Sequence, residues 1–144
     1  MASMTAYKRP TKDDAELLLR MMEVNSNPRM VEAMSWFDKE FKAKDYAEFK
    51  AKYPMGSPGN DYFGMIVGQF ELAGVLVTHG LLNENLYFDL SGIGFVWDRL
   101  GPVVEGQRKE MGPALWENAV WLAERQKKWS KSVWKPKLAW KRAK

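Results

Sequence analysis

The residues best suited to chemistry lie at the end of the chain. From Trp129 onward Lys131, Lys135, Lys137, Lys141, Arg142 and Lys144 are interleaved with Trp129, Trp134 and Trp140. Cations at this density neutralise phosphates, and indole faces between them stack on unpaired bases. The same composition suits an anionic membrane surface, with Trp at the interface. A third use is structural: the indoles are better packed than left in water, on the chain's own body or on a twin subunit. Charge supports all three. Nine of the 22 basic residues lie from Arg125 to the end with no acidic residue, which leaves residues 1–124 with 13 basic and 18 acidic groups, a net of −5. An acidic body therefore carries a basic tail. The contacts expected for a polyanion or a partner are Lys127, Lys128, Trp129, Lys131, Trp134, Lys135, Lys137, Trp140, Lys141 and Arg142.

Elsewhere the chemistry is sparse. The single histidine, His79, falls at the end of an apolar helix, where a protonated imidazole is favoured by the helix dipole. A role as base or metal ligand would need converging partners, and no His-x-x-x-His or Glu-x-x-His pattern accompanies it. Asp89, Asp98, Arg99, Glu105, Arg108, Lys109 and Glu110 alternate in sign, as expected of a solvated helix face rich in ion pairs. No nucleophile elbow, phosphate loop, dinucleotide fingerprint or calcium loop is present; the calcium-like start at Asn83-Glu84-Asn85 has Phe88 where glycine is required. The reading is a protein without catalytic, metal or cofactor residues.

The elements that must carry these residues are helices. A 144-residue chain that is 46% hydrophobic and 28% charged is one domain with a real core. Seven Trp and nine Met supply large buried area and adaptable filling. With no cysteine there is neither disulfide nor thiolate site, which fits a reducing cytosol. The N-terminal stretch has no apolar signal-peptide core, and Asp61, Gln69, Glu71 and His79 interrupt the longest apolar run too often for a membrane span.

That run, 60–80, is the expected centre of the fold. Phe63, Ile66, Val67, Phe70, Gly74 and Val77 follow helical spacing, while Tyr62, Met65, Leu72, Val75 and Leu76 make the remaining sides apolar. Such a helix lies in the middle and must be covered. Asn60 is expected to cap it, Gly80 to close it, and Gly64 and Gly68 to mark a neighbouring helix approaching closely. Upstream, Thr11 caps a helix with Leu17, Leu18, Met21, Met22 and Val24 on its apolar side. Asn27-Pro28 opens a second with Met30, Val31, Met34, Phe37 and Phe41, and Trp36 on its flank; Asp45 caps a short third. Downstream, Asn83 caps one turn. Ser91 is expected to cap a helix over 91–111, kinked at Pro102, and a last helix carries Leu115, Trp116, Ala119, Leu122, Ala123 and Gln126 before fading near Trp129. No strand-like alternation and no repeat is read. The fold class is all-α: a single bundle of about six helices around 60–79, with a domain over 1–129 and a basic tail over 130–144 packed on that domain or on a partner.

Several of these segments carry a resemblance. Asp61-Tyr62-Phe63, Gly80-Leu81-Leu82-Asn83, Tyr87-Phe88-Asp89-Leu90, the run Val96-Trp97-Asp98-Arg99-Leu100-Gly101-Pro102-Val103-Val104, Arg108-Lys109-Glu110 and Trp116 to Ala123 resemble a bacterial family of all-helical domains, domain of unknown function family 4760. The likeness covers roughly the second half of the chain. It implies a helical bundle, a bacterial origin and no established activity, and it carries over no functional residue. The expected function is a non-enzymatic, cytoplasmic protein-interaction module, homodimeric, using exposed aromatics such as Trp36, Trp121 and the tail. The alternative is an accessory protein that binds nucleic acid or an anionic surface through the tail.

Overall fold

Helix boundaries follow from which side chains can satisfy the first amides of each helix. The computed structural model describes residues 7–132, and among them it holds seven helices and no strand. Helix α1 (Lys12–Asn25) opens on a capping box: the Asp14 amide donates to the Thr11 hydroxyl at 3.2 Å, and the Asp14 carboxylate accepts the Thr11 amide at 2.7 Å. Helix α2 (Pro28–Lys39) has Asn27 as cap and Pro28 in the first position; α3 (Tyr46–Lys52) is capped by Asp45, and α5 (Glu84–Leu90) by Asn83. These starts are the expected ones, and α5 makes seven helices where about six were read.

Three boundaries differ. Helix α4 (Pro58–Thr78) begins before Asn60, because Ser57-Pro58 supplies a hydroxyl cap and a proline whose missing N–H is harmless there. Asn60 instead donates its side-chain amide to the Tyr53 carbonyl at 3.2 Å. Ser91 closes α5 rather than opening α6 (Gly94–Met111), which has no cap within its own segment. Helix α7 (Glu117–Ser132) excludes Leu115 and Trp116; the left-handed backbone at Trp116, with φ of 55°, turns the chain into it. Helix α6 runs as one element through Pro102, and α7 continues past Trp129.

Helix α4 packs mainly against α2 and α7, while α3 packs on α6. Its buried stripe is Phe63, Ile66, Val67, Phe70, Ala73 and Gly74. Phe63 joins Trp36, Phe37, Phe41, Phe49 and Tyr53 in one aromatic cluster, with Phe49 and Phe63 centroids 4.6 Å apart. Trp36 is thus core, 8% exposed, and is removed from the expected partner contacts. Helix α4 is buried or half-buried over most of its surface, although Leu72 stays 43% exposed. On α1 only Leu18 and Met21 are buried; Met22 and Val24 face out, because that helix meets the body along a single narrow side.

The glycines of α4 also exchange roles. A Cβ at Gly64 or Gly68 would meet nothing within 4 Å, whereas one at Gly74 would overlap the Asn118 carbonyl of α7. Two substitutions separate these cases. Gly74→Ala is expected to lower stability by about 1–3 kcal/mol through overpacking, and Gly68→Ala to raise it by about 0.5–1 kcal/mol through helix propensity. Urea midpoints that move in the same direction for both would contradict the packing described.

Candidate functional site

The last turns of α7 carry the first of the expected contact residues. Lys127, Lys128 and Lys131 are exposed, with Lys127 3.4 Å from Glu124. Trp129 is not available for stacking. It is 2% exposed, its ring lies 5.4 Å from Phe88, and its indole N–H donates to Asn85 Oδ1 at 2.7 Å. Trp134, Lys135, Lys137, Trp140, Lys141 and Arg142 lie outside the described residues.

Trp129 belongs to a polar junction that ties three parts of the chain together. Asn85 Nδ2 donates to the Lys8 carbonyl at 2.7 Å, and Asn83 Nδ2 to the same carbonyl at 3.1 Å. The Asn83 amide donates to Asp14 Oδ1 at 2.9 Å, which links the starts of α1 and α5. Beside them Arg125 grips Glu84 with two parallel bonds of 2.7 and 2.6 Å. Asn83 was legible as a cap. Nothing near Asn85 in the sequence signals its bond to a Trp 44 positions away.

The charged face of α6 resolves into specific pairs. Arg99 donates to the Phe37 and Phe41 carbonyls at 2.8 and 2.9 Å and stacks on the Phe37 ring, 4.2 Å from its centroid. Glu105 meets Lys109 at 3.2 Å and Glu110 meets Lys50 at 2.7 Å. His79 occupies the exposed C-cap of α4. Among the described residues no group of three or more His, Asp or Glu side chains converges as a metal site.

A groove that sequence reading did not find lies between α1, α2 and the start of α6. It encloses about 280 Å³ and is lined by Leu18, Met21, Met22, Met30, Met34, Phe70, Tyr87 and Phe95, with Asn25, Ser26, Gln69, Ser91 and Gly92 completing the wall. No lining residue is charged. Burial pushes the Tyr87 phenol well above its ordinary range, so that group stays neutral too. Phe95 stands at the rim, 80% exposed. Methionines spaced along two different helices gave no sequence signal, since the three-dimensional crossing of α1 and α2 is what gathers them.

An all-helical domain with capped, interlocked ends is the class that this architecture defines. Residues 10–129 match the model of the Domain of unknown function (DUF4760), and the chain belongs to that family. Membership thus spans α1 to most of α7, well beyond the second half in which the likeness was read. No curated protein and no solved structure matches the chain. No helix among the described residues is long and apolar enough to cross a membrane.

Two measurements probe the junction. Trp129→Phe keeps an aromatic ring, smaller than the indole, and removes the donor to a buried carbonyl oxygen, so stability is expected to fall by at least about 1–3 kcal/mol, read from urea unfolding; an unchanged midpoint would show the bond to be dispensable. Asp14 provides a pH test. Burial raises its pKa, but the Thr11 amide and hydroxyl and the Asn83 amide outweigh that and hold it below the ordinary value. The ionised form is therefore favoured in the fold, and its contribution is whole above the ordinary Asp range and lost as pH falls below it. Asp14→Asn should narrow the stability difference between about pH 7 and about pH 3, and an identical difference in both proteins would refute this.

Proposed function

We propose that the domain is a non-enzymatic protein-interaction module whose contact surface is the methionine groove between α1, α2 and the start of α6, with a second copy of the chain as the partner. One observation carries this reading: a groove free of charge and lined by four methionines has a phenylalanine 80% exposed on its rim. Charge depletion with Met and aromatic enrichment is the composition of interface centres, and Met side chains adapt to an incoming surface. Phe95 has the character of an anchor, large and rigid, with apolar neighbours to exclude water around it. The setting in this reading is the cytoplasm of a bacterium.

The alternative, binding of nucleic acid or an anionic surface, retains the exposed Lys127, Lys128 and Lys131 and loses Trp129 to the core. It requires salt-sensitive binding that disappears when the chain stops at Ser132.

Sedimentation velocity over a concentration series tests the leading reading. The protein is expected to dimerise, and Phe95→Ser to weaken the dimer by about tenfold or more while leaving in place the unfolding midpoint of the monomer, read at a concentration below dimerisation. A protein monomeric at high micromolar concentration, or a dimer indifferent to Phe95→Ser, would sink it.

A further inference from the structure

We propose that a second groove, along the outer side of α6, binds a small organic anion with an extended apolar body, of the type of a medium-chain alkyl carboxylate. The groove encloses about 680 Å³, within the usual range of small-molecule sites, and shares no residue with the methionine groove. It runs from Trp97 to Arg108, eleven residues and so about 16 Å of helix.

The Trp97 end is a platform. A Cβ at Gly101 would lie 3.1 Å from Trp97 Nε1, 3.3 Å from Cε2 and 3.5 Å from Cδ1. Distances so nearly equal place the face of the indole, not its edge, over the bare backbone at Gly101. A side chain at residue 101 would press on this face and require the ring to give by a few tenths of an ångström. Its indole N–H has no hydrogen-bond partner among the described residues, and the side chain is half-buried in the groove wall. One turn on, Pro102 brings no N–H to the Asp98 carbonyl, which leaves this stretch of α6 without one of its internal bonds. Val104, Val120 and Pro113 continue the apolar floor, and Asp98, Glu105 and Lys109 stand in the wall beside it.

The far end is cationic and fixed. Arg108 donates from Nε and Nη2 to the Pro113 carbonyl at 3.2 and 2.6 Å, which holds the guanidinium still and leaves Nη1 outside both bonds. No carboxylate lies within ion-pair distance of it among the described residues, whereas its neighbour Lys109 is matched by Glu105 at 3.2 Å. Glu105 in the groove wall is taken up by Lys109, and Asp98 stands at the opposite, Trp97 end, so the half-buried, immobilised Arg108 guanidinium is a receptor for a carboxylate whose chain lies along Val104, Val120 and Pro113. A cationic head at the same place would face Arg108 and be repelled.

The sign of the charge gives the test. Calorimetric titration of the full chain with dodecanoate, below its aggregation concentration, is expected to show one site, and dodecyltrimethylammonium of equal chain length to show none. Arg108→Gln should weaken dodecanoate by about tenfold or more, the loss expected for a charge-assisted hydrogen bond. Because that change also frees Pro113, Val120→Trp serves as the second variant: it fills the trough, leaves the Arg108 to Pro113 bonds in place and should also abolish binding. Circular dichroism melts establish that both variants fold. Equal binding of the two amphiphiles, many weak sites, affinity unmoved by both folded variants, or no binding at all would each overturn the proposal. Binding to phosphatidylglycerol vesicles in preference to free dodecanoate would overturn it as well, in favour of a membrane surface.

Discussion

Buried helix ends are the constraint that shapes this molecule. Each helix leaves amides unsatisfied at its start and carbonyls at its end, and burying one without a partner costs on the order of 1–3 kcal/mol. Some ends are closed by their own sequence. Others are closed by a side chain from a different helix. Glu71 of α4 accepts the Ala119 amide at 2.8 Å and the Asn118 side-chain amide at 2.9 Å, so a carboxylate sits on the positive end of α7. Gln126 of α7 accepts the Ile93 and Gly94 amides at 2.9 and 2.8 Å and so starts α6. Arg99 of α6 in turn closes the chain end of α2 at Phe37 and Phe41. The helices therefore lock one another in a relay: α4 starts α7, α7 starts α6, and α6 ends α2.

That relay fixes where backbones must touch. Glu71 reaches α7 only because α7 crosses α4 at Gly74, where no side chain intervenes. Gln126 reaches α6 because Gly92, with φ of 145°, takes a conformation that other residues rarely adopt and leaves room that a Cβ would fill. Close approach and polar closure are the same event seen from two sides. An apolar interface alone would tolerate sliding of one helix along the other, whereas a carboxylate aimed at two specific donors sets the register.

This explains which parts of the fold were legible. Thr11, Asn27, Asp45 and Asn83 cap helices through bonds spanning two or three residues, so the local sequence contains both partners. The central apolar helix and the continuity of α6 through Pro102 follow from periodicity, which is also local. Ser91 looks like a cap in the sequence because the acceptor that starts α6, Gln126, is more than 30 residues away. Gly64 and Gly68 read as a close contact because the spacing of glycines reveals that a helix can be approached, not by what. The same limit applies to tryptophan. Trp36, Trp121 and Trp129 look alike in a sequence, yet the first two differ only in which neighbours fold over them, and Asn85 decides the third. The methionine groove was illegible for the same reason, being a property of two helices crossing.

The relay also revises the electrostatic picture of the chain. The basic excess counted from Arg125 is partly internal, since Arg125 is matched by Glu84 and Lys127 lies beside Glu124. Arg99, on the body, closes a helix end. What remains on the described end of α7 is a few exposed lysines without an aromatic platform, because Trp129 points inward. Binding of unpaired bases needs charge and stacking together, so that form of the electrostatic reading keeps Lys127, Lys128 and Lys131 and takes its stacking groups from the sequence beyond Ser132. The apolar reading rests on side chains whose neighbours are known. Folding has used the polar groups to interlock helix ends, and among the described residues no helix covers the charge-free trough bordered by Phe95.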